Sequence, residues 1–433
     1  MNYPTRAVLF LLLGGLCIFL LQREENRGTF TAANRAWIDG LLSISEQQIR
    51  EPSVTFLKID DQTREMLEAE GPLGPLDYAL LCKKLSIYSP KVAAIEPVLA
   101  WEGEPELALN SLKTATLELD ALLLGCELED NPVGADISGS ILDLFPSITN
   151  VQGDLSGLPS FTGSRSLPDL TLRILGNIGF IRIDLSDVDG DEEDALLVPL
   201  LAINGGRVVP SFVLQAVMLE NDVEESDVRA VLGDAIYLGD DLRVPIDARG
   251  RLTVFSKLRG ALPVHDADIL IPDPAAIVDE DAIDTVELTD NERKALEERV
   301  VLIGLNDERL RSIPLDGSEE KISPAELSAL AIATVQSGRY IRKLATPQQA
   351  FIWTALLLAG LGLLAANAGT ARILWFVLVI VFLISSLIAF KVGQFWQPPI
   401  IPAALVICIF VSVFLPRKPT AGEETNPEDD IIV

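Results

Sequence analysis

Five side chains able to do polar chemistry stand directly after short apolar runs. Asp60 and Asp61 follow Ser53–Ile59, Glu96 follows Val92–Ile95, and Asn306 and Asp307 follow Val300–Leu305. Apolar runs of this length bounded by polar or turn-forming residues read as buried strands. In an open parallel sheet, ligands bind at the carboxyl ends of the strands. If these ends converge, the five residues form an acidic crevice suited to a cation or a cationic ligand. The same residues also have a plain structural use. Asp60 can cap the next turn, and Glu96 can point to solvent or pair with an Arg or Lys. Proton abstraction from a substrate would need a raised carboxyl pKa, which depends on surroundings that a sequence does not display.

A second acidic group lies in Asp187-Val188-Asp189-Gly190-Asp191, with Asp194 close behind. Calcium takes about six to eight oxygens, and carboxylates spaced this closely in a turn supply several of them. Asp187, Asp189, Asp191 and Asp194 are therefore the candidate Ca2+ ligands. The closing glutamate of the common calcium loop is missing, since Val198 occupies that position. A charged hairpin turn accounts for the same residues. His265 is the single histidine, which excludes a two-histidine zinc site and makes a histidine-based catalytic triad a poor fit. No Gly-rich phosphate loop and no Gly-x-Ser-x-Gly elbow appears, so the chain reads as a non-enzyme. Cys82 and Cys126 are either two buried thiols or one disulfide; their context is not cysteine-dense, which favours free thiols.

The elements that must position these residues alternate. Strand Ser53–Ile59 leads to a helix over Leu76–Tyr88, with Leu76, Leu80, Leu81 and Leu85 on one stripe. Strand Val92–Ile95, helix Glu104–Leu117 and strand Ala121–Cys126 follow. That order calls for a parallel sheet with right-handed crossovers. Asn131–Ser166, rich in Gly, Pro, Ser and Asp, reads as an irregular insertion. Gly179–Ile183 and Leu196–Ile203 read as a hairpin around an acidic turn. A helix over Pro210–Leu219, short strands over Val231–Val254, a solvated acidic stretch over Pro272–Glu298, strand Val300–Leu305 and an Ala-rich helix Pro324–Gln336 complete the segment. The expected fold is α/β: a mainly parallel sheet with helices on both faces and an inserted β-hairpin region.

Four runs without charge frame that segment: Ala7–Leu21, Ala350–Ala366, Ile373–Phe390 and Ile400–Leu415. Each is slightly short of the ~20 residues that span a bilayer, and flanking uncharged residues can lengthen it. The reading is one N-terminal anchor (residues 1–22), a large domain (23–347), three membrane helices (348–416) and a short acidic tail (417–433). The positive-inside rule places Arg6, Arg372, Arg417 and Lys418 in the cytoplasm and the large domain outside it, while Arg339, Arg342 and Lys343 count against that scheme. The net charge of −29 argues against nucleic acid, whose binding needs a basic face. The spans carry no ionisable side chain of the kind that lines transport pathways. Gly360 and Gly362 permit close helix approach and so a homodimer contact, or are simply the glycines tolerated in any span.

Four stretches together resemble CHASE2, an extracytoplasmic sensory domain of bacterial receptors: Val54–Thr63 (VTFLKIDDQT), Val92–Pro97, Glu298–Leu305 (ERVVLIGL) and Ser323–Lys343. The order of one span, a sensor and three spans is similar as well, so the likeness covers roughly residues 31–415. The sequence departs from the family in Gly71–Leu76, where the family has a Trp-Pro-rich turn ending in Arg. It departs again at Glu96, where the family ends its strand in Asp, and at Asp191–Asp194, where basic residues are usual. In place of the family's cytoplasmic enzyme stand 18 residues, five of them acidic. The resemblance implies a sensor in the bacterial cytoplasmic membrane, passing a signal to a separate membrane or cytoplasmic partner. The rival expectation is a structural or assembly subunit that uses the same fold as a docking platform.

Overall fold

The structure is a computed structural model and describes residues 3–25, 29–44, 51–69, 71–101, 103–129, 145–181, 197–271, 288–306, 313–314, 321–344, 346–393 and 395–414. The chain forms two compact units, one from Met1–Gln47 with Ile341–Val433 and one from Gln48–Tyr340. The helices, in chain order, include α1 (Tyr3–Glu25), α2 (Thr31–Ile44), α3 (Asp61–Met66), α4 (Pro75–Ser86), α5 (Glu106–Thr116), α6 (Phe212–Glu220), α7 (Pro324–Ser337), α8 (Thr346–Ala365), α9 (Ala368–Gly393) and α10 (Ile400–Phe414).

The Gln48–Tyr340 unit is built on a seven-stranded sheet. Its strands are β1 (Val54–Ile59), β2 (Val92–Ile95), β3 (Leu122–Glu129), β4 (Gly163–Ser166), β5 (Asn177–Phe180), β6 (Val264–Asp266) and β7 (Val300–Leu305). The spatial order is β6-β1-β7-β2-β3. The early half of β3 then pairs with β5, and its last three residues pair with β4. Every pair is parallel except β3–β4. β7, the last of these strands in the chain, inserts between β1 and β2. The VVLIGL run of β7 has neighbours on both sides, and its first five residues are all buried, as an unalternating apolar strand requires.

One face of the sheet carries α4 and α5. Leu81, Leu85 and Leu112 pack there on Leu57, Ile59, Ile95, Leu124 and Ile303. α4 buries Tyr78, Ala79, Leu81, Cys82 and Leu85, whereas Leu76 is 58% exposed. Leu76 thus stands off the stripe assigned to it: Pro75 opens the helix at its first position, and the buried face runs through Tyr78 and Cys82. The other face is covered by α6 and α7; eleven of the fourteen residues of α7 are buried.

Among the described residues the expected hairpin between Gly179–Ile183 and Leu196–Ile203 does not form. β5 (Asn177–Phe180) joins the main sheet beside β3, while Leu197–Pro199 pairs with Arg251–Thr253. The NIGF run buries three consecutive residues and lacks the alternation of a two-stranded ribbon. Antiparallel pairing belongs instead to Leu201–Asn204 with Arg207–Pro210 and to a meander through Val228–Val231, Ala235–Leu238 and Leu242–Pro245. The sheets are therefore mixed, and parallel pairing dominates only in the large one. The insertion after β3 is also less irregular than its composition implies, for it supplies β4.

In the other unit α1, α8, α9 and α10 pack together. Phe10 meets Leu363, Leu364, Ala371, Ile409 and Val413 in one core, and Trp353, Leu356, Ile401 and Leu405 form a second. The Trp375 indole donates to the Val406 carbonyl at 3.1 Å. Three helices among the described residues are long and apolar enough to cross a membrane: Pro4–Glu25, Thr346–Ala365 and Gly369–Val392. The fourth apolar run forms α10, 15 residues long. At 1.5 Å per residue that is about 22 Å, short of a hydrocarbon core of about 30 Å.

Candidate functional site

Because β1, β2, β3 and β7 are parallel, the loops that follow them open on one edge of the sheet. A cleft of about 1360 Å³ lies there, lined among others by Arg64, Tyr78, Glu96, Trp101, Glu127 and Arg165. Leu305 at the end of β7 and Pro324 and Ala325 at the start of α7 also border it.

Glu96 follows β2 directly and is 8% exposed. Its backbone N–H donates to the Ile303 carbonyl at 2.9 Å, which fixes the end of β2 against β7. Gly125 of β3 packs against the Glu96 carbonyl so closely that a Cβ at that position would collide with it. The glycine thus lets β3 approach and holds the Glu96 backbone in place. The Glu96 carboxylate borders the cleft. Among the described residues it makes no hydrogen bond and no ion pair. Burial, and secondarily the charge of Glu127, push its pKa up to about 7. This corrects both structural readings of Glu96, since the side chain neither points into bulk water nor pairs with a base.

Asp60 is built for a different task. Its carboxylate accepts from the Thr63 backbone N–H at 3.0 Å, capping α3, and from Lys58 at 3.3 Å. Lys58 also reaches Asp266 of β6 at 2.6 Å. Burial alone would raise the Asp60 pKa, but the Thr63 N–H, a side-chain hydrogen bond with Asp266 and Lys58 together outweigh it and hold the carboxyl below its ordinary value. Asp60 does not line the cleft, and its oxygens are already engaged. Asp61 is exposed, lines the cleft and lies 3.5 Å from Arg64. Asn306 uses its backbone N–H on the Ile59 carbonyl at 2.9 Å, joining β7 to β1. Of the five strand-end residues, the structure thus brings Glu96 and Asp61 to the cleft. Asp307 lies outside the described residues.

Asp187, Asp189, Asp191 and Asp194 also lie outside the described residues. Among those that are described, no group of three His, Cys, Asp or Glu side chains is placed to hold a metal ion. The four cysteines are free thiols. Cys82 and Cys126 are buried, and desolvation pushes the Cys82 thiol up to about 12, so it stays protonated.

Several groups at the cleft had no place in the sequence reading. The Trp101 indole donates to the Leu73 carbonyl at 3.1 Å, and its ring lies 5.9 Å from that of Tyr78, tilted by 54°. Glu127 and Arg165 form a loose pair at 3.8 Å across β3 and β4. A signal for Glu127 did exist: the strand-end rule that selects Glu96 also selects the residue after Ala121–Cys126. Arg165 and Trp101 sit in loop-like sequence and carried none.

Comparison with protein-family models, with characterised proteins and with solved structures finds no match.

Proposed function

We propose that this protein is a membrane-anchored receptor domain. It takes a small ligand into the cleft at the carboxyl edge of the sheet and passes the signal to a separate protein. The observation that carries this reading is the Glu96 carboxylate, more than nine-tenths buried, bordering a roomy cleft and without a hydrogen-bonding partner among the described residues. A buried polar group left unpaired costs stability, and a ligand that pairs with it recovers that cost.

The route out of the cleft begins with Pro324 and Ala325, which line it and open α7. Three contacts fix α7 in its unit. The Arg259 guanidinium meets Glu326 at 2.6 Å, the Thr334 hydroxyl accepts from the Phe255 N–H at 3.0 Å, and Gln336 meets Glu220 at 2.9 Å. Gly338 then ends the helix in the left-handed region, at φ 63°. Along the chain α8, one of the membrane-length helices, follows. A ligand with different affinities for two positions of the first turn of α7 shifts the population between them, and that is sufficient for signalling. Placement in a bacterial cytoplasmic membrane with the large unit outside belongs to the same reading. The distribution of basic residues and the resemblance to CHASE2 support it.

The test uses the full chain in detergent micelles and a panel of small cationic, anionic and neutral compounds, with melting temperature as the readout. A second protein carries Ala100→Trp, which fills the cleft from an exposed position on its wall. At least one chemical class should raise the melting temperature of the native chain and not of the filled variant. A panel with no such class would defeat the receptor reading.

A further inference from the structure

We infer that the ligand of this cleft presents a protonated amine to Glu96 and Glu127, with its carbon skeleton against Tyr78 and Trp101. This rests on the receptor reading above and names the chemical class of its ligand.

The argument is one of complementary charge. Four carboxylates line the cleft, from Asp61, Glu65, Glu96 and Glu127, against two guanidinium groups, from Arg64 and Arg165. Both guanidinium groups already have acidic neighbours, Arg64 with Asp61 at 3.5 Å and Arg165 with Glu127 at 3.8 Å. Two carboxylates remain, Glu65 on the exposed rim and Glu96, the buried one. An incoming anion would meet this excess of acid; an incoming cation would answer it. Glu127 lies close enough for its charge to disfavour ionisation of Glu96, so a cation placed between them offsets that repulsion as well as supplying the missing hydrogen bonds.

A metal ion fits less well. Calcium takes about six to eight oxygens, and no cluster of three acidic or other ligating side chains exists among the described residues. The Tyr78–Trp101 pair and Leu73 give the cleft an apolar wall, which suits an organic cation. Of the titratable groups, Glu127 from β3 and Tyr78 from α4 act electrostatically with Glu96, while Asp61, Arg64 and Glu65 from α3 and Arg165 from β4 line the same cleft. With this set, amine binding requires the ionised form of Glu96 and releases its proton to solvent.

The experiment measures binding of n-butylamine, butyrate and n-butanol to the full chain in detergent, by calorimetry at pH 6 and pH 8. The native chain, Glu96→Gln, Glu127→Gln and Ala100→Trp are compared after far-UV circular dichroism has established folding. With Glu96 titrating at about 7, its ionised fraction rises about tenfold between these pH values. The amine, charged throughout, should bind about tenfold more tightly at pH 8. Glu96→Gln and Glu127→Gln should each weaken it, and if one fails to fold the other decides. Binding of butyrate or butanol in the native chain but not in Ala100→Trp, without binding of butylamine, would overturn the amine and leave the receptor standing. Tighter amine binding at pH 6, or amine binding unchanged by both glutamine variants, would do the same. If none of the three probes and no member of the wider panel binds, the receptor reading falls together with the amine.

Discussion

Replacing Glu96 by glutamine should change how the stability of the protein depends on pH. Burial and the neighbouring charge of Glu127 raise the Glu96 carboxyl from 4.5 to about 7. Between those values the folded chain keeps a proton that the unfolded chain has already released. The folded state therefore binds more protons, and stability falls as pH rises through this window. At about 1.4 kcal/mol for each tenfold change in proton affinity, the fall amounts to about 3 kcal/mol. Glu96 is 8% exposed, so solvent screening removes little of it. Glutamine keeps the shape and has no proton to lose. The Glu96→Gln chain should therefore gain about 2.5 kcal/mol on the native chain between pH 5 and pH 8. In a unit of this size that corresponds to a relative rise in melting temperature on the order of 6 °C. The assay is thermal unfolding of both full chains in the same detergent at pH 5, 6, 7 and 8, followed by circular dichroism. Melting curves that run parallel across this range would refute the reasoning, because they would mean that Glu96 titrates as an ordinary surface carboxylate.

Other changes have different signatures. Asp60→Ala removes the cap of α3 and leaves Lys58 with Asp266 as its acidic partner; it should lower stability by about 1 kcal/mol while leaving the calorimetric response to butylamine intact. Arg259→Ala leaves Glu326 largely buried without its 2.6 Å partner. It should cost about 3 kcal/mol, read as a lower melting temperature, with Arg259→Lys recovering part of the loss. Thr334→Val deprives the buried Phe255 N–H of its acceptor and should cost about 1–3 kcal/mol, measurable in the same melts. Gly360→Leu places a side chain where Phe10 and Ile409 already stand. Overpacking of this kind costs about 1–3 kcal/mol, and the variant should melt earlier in detergent, whereas Gly362→Leu, with open space around it, should not.

The contrast between Asp60 and Glu96 shows what a sequence can and cannot convey about a site. Both are acids placed directly after an apolar run, and periodicity with strand-end logic finds the two equally well. Their roles separate only through neighbours distant in the chain. Asp60 meets Thr63 three residues on, a local contact that the Asp-x-x-Thr spacing allows one to anticipate. The surroundings of Glu96 come from Ile303, Gly125 and Glu127, which reach it only because β7 inserts between β1 and β2 and β3 packs alongside. Insertion of a late strand between two early ones leaves no trace in periodicity. The αβ alternation from Ser53 to Cys126 and the apolar helices were legible because each is set by local spacing. The Gly179–Ile183 run reads as a hairpin strand for the same reason: a short apolar run looks alike whether the strand lies in a hairpin or in a parallel sheet, and only the partner, β3, distinguishes them.

The same reasoning explains why the chemistry concentrates on Glu96 and not on its neighbours. Each acid at the carboxyl edge either has a local base or donor, as Asp60 and Asp61 do, or shares one loosely, as Glu127 does with Arg165. Glu96 lies at the end of β2, flanked by β7 and β3, where the neighbouring strand ends present backbone and apolar groups instead of bases. A carboxylate in that position destabilises the fold at neutral pH by the amount worked out above. An apolar residue at the same place would avoid that cost, and glutamine would avoid most of it. The destabilisation is of use only if something from outside neutralises the charge, and the cleft beside it gives that partner room to enter.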